Sequence, residues 1–264
     1  KNYWYSLSNM KLGFIGTGKI ASAVINGVCS SKIPFNRIYI SPRNKLIAQE
    51  LKKKFKKISI AKNNQEIVNK CEWVFLSITP NVGNRIIKNL QFKSSQTIIS
   101  FISTIKLNQL KKAIKVKAKI VRAIPLPPIS LKKGPVPIFP PNKKVKNFFN
   151  NIGTTVEIKS ERSSISFWTT SGMMASFYEL LNVMTNWLIK KGVKRNNAQK
   201  YITSLFLALS EDAFVNSKKN LKNLVKDSQT PKGLNEQGLK ELSKSGFYKR
   251  LEKTLNSIHK RLDK

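Results

Sequence analysis

Between Lys11 and Pro125, short apolar runs alternate with amphipathic ones at a steady pace, and this alternation limits the fold more than any other feature of the chain. "KLGFIG" (11–16), "RIYIS" (37–41), "ISIA" (58–61), "EWVFLSI" (72–78), "QTIISFIS" (96–103) and "AKIVRAIP" (118–125) read as strands. The segments between them, such as "NKLIAQELKKKF" (44–55) and "KLNQLKKAI" (106–114), carry apolar residues three and four apart and read as helices. A single helix between two strands returns the chain to the same sheet edge, so the strands pair in parallel. The expected architecture is a doubly wound parallel sheet with helices on both faces.

The texture then changes. "PLPPISLKKGPVPIFPP" holds seven of the eleven prolines and excludes a helix interior. After "TTVEI" (154–158) strand signals cease. Residues 163–191 read as one long proline-free helix, and a second is expected at about 196–217. That second helix is apolar on nearly all sides, with Tyr201, Ile202, Leu205, Phe206, Leu207, Leu209 and Phe214. A helix of this kind must be covered all round. About 100 residues cover it poorly, so an all-α domain that packs against a second copy of itself is expected, with a monomeric bundle as the alternative.

The first strand runs into "FIGTGKIASAV", which reads Gly16-x-Gly18-x-x-Ala21 at a strand-to-helix turn. Gly16 permits the tight turn, Gly18 lets backbone N–H groups approach a pyrophosphate, and Ala21 allows close helix-to-strand packing. Inside a βαβ unit this is a dinucleotide cradle, with Gly16, Thr17, Gly18, Lys19 and Ile20 as its lining. The second strand ends Ser41-Pro42-Arg43-Asn44-Lys45. An acid there would hold the ribose 2′-hydroxyl of NAD and repel a 2′-phosphate. The nearest acid is Glu50, so Ser41, Arg43 and Asn44 point to NADP(H). The expected organisation is an extension at 1–9, a Rossmann-type NADP-binding domain at 10–158, and a helical dimerisation and substrate domain at 159–264.

The formal charge is +36, carried by 41 lysines and 8 arginines. Base and phosphate recognition favours the bidentate guanidinium fork. The lysines are also spread along the whole chain, so no sequence-specific nucleic-acid partner is expected, only a salt-dependent non-specific affinity. No Asp precedes Asp212, and His259 is the only histidine. A Ser-His-Asp triad, an Asp dyad or a histidine metal site is hard to assemble from these residues, so no metal is expected and the chemistry falls to a cofactor. Cys29 and Cys71 form no framework and read as buried thiols in a reducing cytoplasm. No apolar run approaches the ~18 residues of a membrane span, and the start lacks the order of a signal peptide.

The motifs "MKLGFIGTGKIASAVINGV", "VFLSITPNV", "IVRAIPLPP" and "TPKGLNEQGLKEL" occur in the order and at the spacing found in pyrroline-5-carboxylate reductases, and from Met10 to about Arg261 the chain resembles that family. The resemblance implies a nicotinamide-side loop at Ile78, Thr79 and Pro80, with Ala123 and Pro125 also against the cofactor. It implies substrate contacts at Ser176, Thr230, Lys232, Gly233, Leu234 and Asn235, with Asn235 orienting the ring nitrogen as the residue closest to the chemistry. Thr79 stands where the family has Lys, Lys232 where it has Gly, and Leu234 and Asn235 where it has two threonines. The implied activity is NADPH-dependent reduction of a cyclic imine bearing a carboxylate, pyrroline-5-carboxylate to proline, by a dimer or an assembly of dimers. Two other readings stand beside it: a reductase of the same fold acting on another imine or keto compound, and a non-catalytic NADP-binding or nucleic-acid-binding protein.

Overall fold

The computed structural model describes residues 8–263. Most of the extension expected at 1–9 therefore lies outside the described residues. Met10 is already part of the core. The chain divides into two compact units between Ser164 and Ile165.

The first unit runs β1 (Lys11–Ile15), α1 (Lys19–Cys29), β2 (Arg37–Ile40), α2 (Lys45–Lys54), β3 (Ile58–Ile60), α3 (Asn64–Lys70), β4 (Trp73–Leu76), α4 (Pro80–Lys88), β5 (Thr97–Ser100), α5 (Leu107–Ile114) and β6 (Lys119–Ala123). It closes with β7 (Pro135–Phe139), α6 (Lys143–Phe149) and β8 (Thr154–Glu157). The sheet order is β3-β2-β1-β4-β5-β6-β7-β8. Strand order reverses between β1 and β4, and that reversal opens a crevice above their C-terminal ends, the standard ligand position in such sheets.

Alternation along each strand builds two cores. Leu12, Phe14, Ile38, Ile40, Trp73 and Phe75 face one side, while Ile15, Val74, Leu76, Ile98 and Ile120 face the other. Phe14 stacks on Phe75 with ring centroids 4.4 Å apart, and Trp73 tilts against Phe148 at 5.2 Å. Gly13 lets α3 press onto β1, since a Cβ there would lie 2.3 Å from Ile67.

Two elements depart from the sequence reading. The proline-rich stretch contains a strand, β7, paired antiparallel to β6 and parallel to β8. Pro137 turns its carbonyl toward β6 and accepts from the Ile124 N–H. Pro135 has the same parity as Pro137, and β6 pairs with β7 over only two residue pairs, so the missing N–H groups of the two prolines cost little ladder. The helix expected at 163–191 is two helices, α7 (Glu161–Ser171) and α8 (Met174–Lys190). The hydroxyls of Thr169, Thr170 and Ser171 bond back to carbonyls of their own helix, and Gly172 ends it.

The second unit is helical: α8, α9 (Arg195–Val215), α10 (Leu221–Asp227), α11 (Leu234–Lys244) and α12 (Phe247–Leu262), with the division itself falling inside α7. Phe177 of α8 meets Phe206 of α9 edge-on at 6.1 Å. On α9 only Ala198 and Ile202 are buried, while Tyr201, Leu207, Leu209 and Phe214 are each more than half exposed. Trp187 on α8 is also open. No helix among the described residues is long and apolar enough to cross a membrane.

Candidate functional site

The turn after β1 is built from the backbone outward. Gly16 has φ +96, and a Cβ there would lie 2.3 Å from the Ser77 carbonyl oxygen after β4. Only glycine fits both the angle and the approach. The Gly16 N–H donates to the Ser41 hydroxyl (3.0 Å), which in turn donates to the Asn64 side-chain oxygen (2.6 Å). Thr17 is buried and donates its hydroxyl to the Ser41 carbonyl. Ser41 is 2% exposed, so its hydroxyl fixes the turn from behind and does not face solvent. Asn64, at the start of α3, was not singled out from the sequence; an amide at one helix start is too common a cap to stand out.

Gly18 is the contrast. It caps α1, and a Cβ added there would meet nothing within 4 Å. Protein packing does not require this glycine, and the space above it is open. α1 has no side-chain cap and no acid in its first turn. The N–H groups of Lys19, Ile20 and Ala21 have no intrahelical acceptor and point at that space, where the helix dipole favours an anion. A pyrophosphate fits this donor set.

At the end of β2, Arg43 and Lys45 are exposed, and Asn44 caps α2 by accepting from the Ile47 N–H. No carboxylate precedes Glu50 in this loop. Ile78 packs against Gly16, while Thr79 caps α4 without a side-chain hydrogen bond and Pro80 takes the first helical position. Ala123 and Pro125 are buried at the end of β6. The thirteen residues assigned to the cofactor thus gather at the C-terminal ends of β1, β2, β4 and β6. Beside them the sequence reading passed over Arg122, 2% exposed, whose guanidinium pairs with Glu161 and donates to the Ser103 carbonyl. Glu161 also accepts from the Leu107 N–H, so the pair ties β6 to both α5 and α7. Burial works against the Arg122 charge, and Glu161 opposes that effect. A lone arginine inside an apolar strand was the available signal.

In the second unit, Thr230 to Asn235 form the lead into α11. Gly233 caps the helix, and a Cβ there would lie 2.2 Å from the Thr230 hydroxyl oxygen. Lys232 adopts φ +61, and its N–H donates to Glu236 (2.6 Å), which also pairs with Lys240. The capping glutamate is therefore formed. Asn235 donates its amide to the Ser228 carbonyl (2.9 Å), and Leu234 is 87% exposed. The N–H groups of Leu234, Asn235 and Glu236 precede the first intrahelical bond, made by Gln237. Ser176 lies in the first turn of α8 and is exposed. Among the described residues no cluster of three His, Cys, Asp or Glu could hold a metal.

Residues 11–104 match a family model described as NADP oxidoreductase coenzyme F420-dependent. Residues 164–264 match one described as pyrroline-5-carboxylate reductase dimerisation. The second unit thus carries the match to the pyrroline-5-carboxylate reductase dimerisation model, and members of that family are similar to this chain along nearly its whole length. Among curated family members, the pyrroline-5-carboxylate reductase of Pseudomonas aeruginosa is 23% identical over 97% of this chain and 96% of its own length. That of Haemophilus influenzae is 26% identical over 84% of each. Family members of known structure share the fold. The reductase of Streptococcus pyogenes superposes with a TM-score of 0.81 at 23% identity, covering 97% of this chain and 98% of the other. The Plasmodium falciparum pyrroline carboxylate reductase, solved with NADP bound, gives 0.82 at 20% identity over 97% and 98%.

Proposed function

We propose that the protein is an NADPH-dependent reductase that converts pyrroline-5-carboxylate to proline. The observation that carries this reading is the pairing, in a chain similar to this family, of an open uncapped helix N-terminus at Gly18 with an acid-free loop at Arg43. The N-terminus of α1 holds the pyrophosphate, and Arg43 takes the ribose 2′-phosphate with a charge-assisted bond. Ser41, Thr17 and Asn64 keep the Gly16 turn in shape. Asn44 sets the start of α2 beside Arg43. Ile78, Thr79 and Pro80 line the nicotinamide side, with Ala123 and Pro125 buried beneath it.

NADPH, when bound, supplies a hydride to the imine carbon. The imine nitrogen is basic enough to carry its own proton near neutral pH, so the chain needs no strong acid there, in keeping with its scarcity of His and Asp. The free N–H groups at the start of α11, with Thr230 and Gly233, hold the substrate carboxylate. Asn235 has one amide hydrogen committed to Ser228 and keeps its oxygen to accept from the protonated ring nitrogen. Lys232 adds a charge, and Ser176 lines the pocket. The protein acts as a homo-oligomer built from dimers through its helical unit, in the cytoplasm.

Leu234, standing where the family has a threonine, favours a second reading, a related cyclic imine as substrate. Steady-state NADPH oxidation with pyrroline-5-carboxylate and a panel of cyclic imines tests both. Turnover of pyrroline-5-carboxylate is expected, with Arg43→Ala weakening NADPH roughly tenfold or more and leaving NADH unchanged. No turnover at millimolar imine, in protein that binds NADPH normally, would overturn the substrate assignment. Equal losses for both cofactors would overturn the role of Arg43.

A further inference from the structure

The net charge is unevenly placed because the acids are, while the cations follow chain length. Before Ile165 the chain carries 31 of the 49 cationic residues but only 5 of the 13 acids, so the first unit holds +26 of the net +36. Topology concentrates part of that charge. In a parallel sheet every strand starts at the same edge, and the helices between strands end there. In sheet order, β3 follows Lys57, β2 begins at Arg37, β1 begins at Lys11, β4 follows Lys70, β5 follows Lys93 and β6 begins at Lys119. Each of the six parallel strands is thus preceded or opened by a cation. Five inter-strand steps of ~4.8 Å make the row about 24 Å long.

Five of the six are exposed, and Lys11 is half-buried. Lys57 and Lys93 donate to the carbonyls of Phe35 and Asn69, and Arg37 donates to the Ser59 hydroxyl; these neutral acceptors leave the charges uncompensated. Lys70 alone is paired, with Glu66 at 2.7 Å. The acid on the edge itself is Glu72, which accepts from the Lys11 backbone N–H. The last turns of α2 and α5 add Lys52, Lys53 and Lys54 and Lys111 and Lys112. The C-termini of five helices contribute only about −2.5 elementary charges against this.

We propose that this edge binds the phosphate backbone of nucleic acid without reading its sequence. Lysine ammoniums are point charges that suit phosphates and lack the bidentate fork that reads bases. A row of 24 Å runs alongside about seven phosphates of one duplex strand at 3.4 Å each. An anionic membrane is the poorer match. Among the described residues, the exposed large apolar residues of the first unit are Leu46 and Leu131, two isolated side chains that make no apolar face to insert among lipids. The edge is opposite the strand ends that carry the cradle, so nucleic acid bound there leaves the cradle open.

Fluorescence anisotropy of the full chain with a labelled 20-base-pair DNA duplex, over a series of KCl concentrations, tests this. Neutralising four to six phosphates gives a slope of log K against log salt of about −4 to −5. Changing Arg37, Lys57, Lys93 and Lys119 together to Gln should reduce that slope by about four. A matched variant with Lys190, Lys218, Lys222 and Lys244 changed to Gln should leave it nearly unaltered. If removing the bonds to Phe35 and Asn69 unfolds the first variant, Arg37 and Lys119 alone, each to Gln, replace it and should reduce the slope by about two. Equal loss in the edge and control variants would overturn the proposal, because the charge would then act diffusely. So would the absence of salt-dependent binding, or a preference for phosphatidylserine vesicles over the duplex.

Discussion

Gly16 and Gly18 sit two residues apart in one motif, yet they are glycines for different reasons. At Gly16 a methyl group meets a carbonyl oxygen at 2.3 Å with φ +96, so Gly16→Ala strains the fold itself. A loss of about 3 kcal/mol is expected, seen as a lower Tm in the absence of cofactor. At Gly18 the methyl meets no protein atom, so Gly18→Ala should leave the Tm within a degree or two and weaken NADPH at least tenfold. Calorimetry and cofactor titration of the two variants check this; a Tm drop in Gly18→Ala with unaltered NADPH affinity would remove it from the cradle. Both glycines were legible from spacing alone. Which of them serves packing and which serves a ligand was not, because that depends on the neighbour across the sheet, Ser77. Ser41 shows the same limit. Its position at the strand end was readable, but its burial and its bond to Asn64 depend on an element 23 residues away.

Elements with a plain period were the most legible. The six parallel strands and their helices lie within a few residues of the stretches that hydrophobic spacing marks out. β7 was not legible, since its two prolines argue against a strand and only the short overlap with β6 makes them harmless. The break between α7 and α8 was hidden because no proline marks it. Gly172 and a run of hydroxyls do the work, and hydroxyls on a helix surface look like ordinary polar positions. The start of α11 supports a pH prediction. Hydrogen bonds from Lys240 and the Lys232 N–H hold the Glu236 carboxyl below its usual 4.5, and Lys70 and the Lys62 N–H do the same for Glu66. A depressed carboxyl contributes stability that is full above its unfolded value and is lost as pH falls through its folded value. Tm followed from neutral pH to about pH 3 should therefore decline at the acid end. Glu236→Gln should flatten part of that decline, and an unchanged acid limb would show that the cap carries no stability.

For the whole molecule, the sequence announced more apolar helix surface than a single chain can cover, and the exposed faces of α8 and α9 bear that out. Leu207→Glu with Phe214→Glu should shift light scattering from an oligomer toward the 30.0 kDa chain. A wild-type particle of that mass at micromolar concentration would sink the assignment of this surface to self-association. What composition could not show was where the charge collects, because lysines scattered evenly in sequence are gathered at one edge by a parallel sheet. The two tryptophans described above have an optical consequence. Trp73 is sealed among phenylalanines and emits toward the blue, whereas Trp187 is 58% exposed beneath the Lys191 ammonium and emits toward the red until something covers it. Assembly should blue-shift the Trp187 component and leave that of Trp73 in place, while unfolding should red-shift Trp73. The protein carries its own fluorophores for telling dissociation from denaturation, with no label attached.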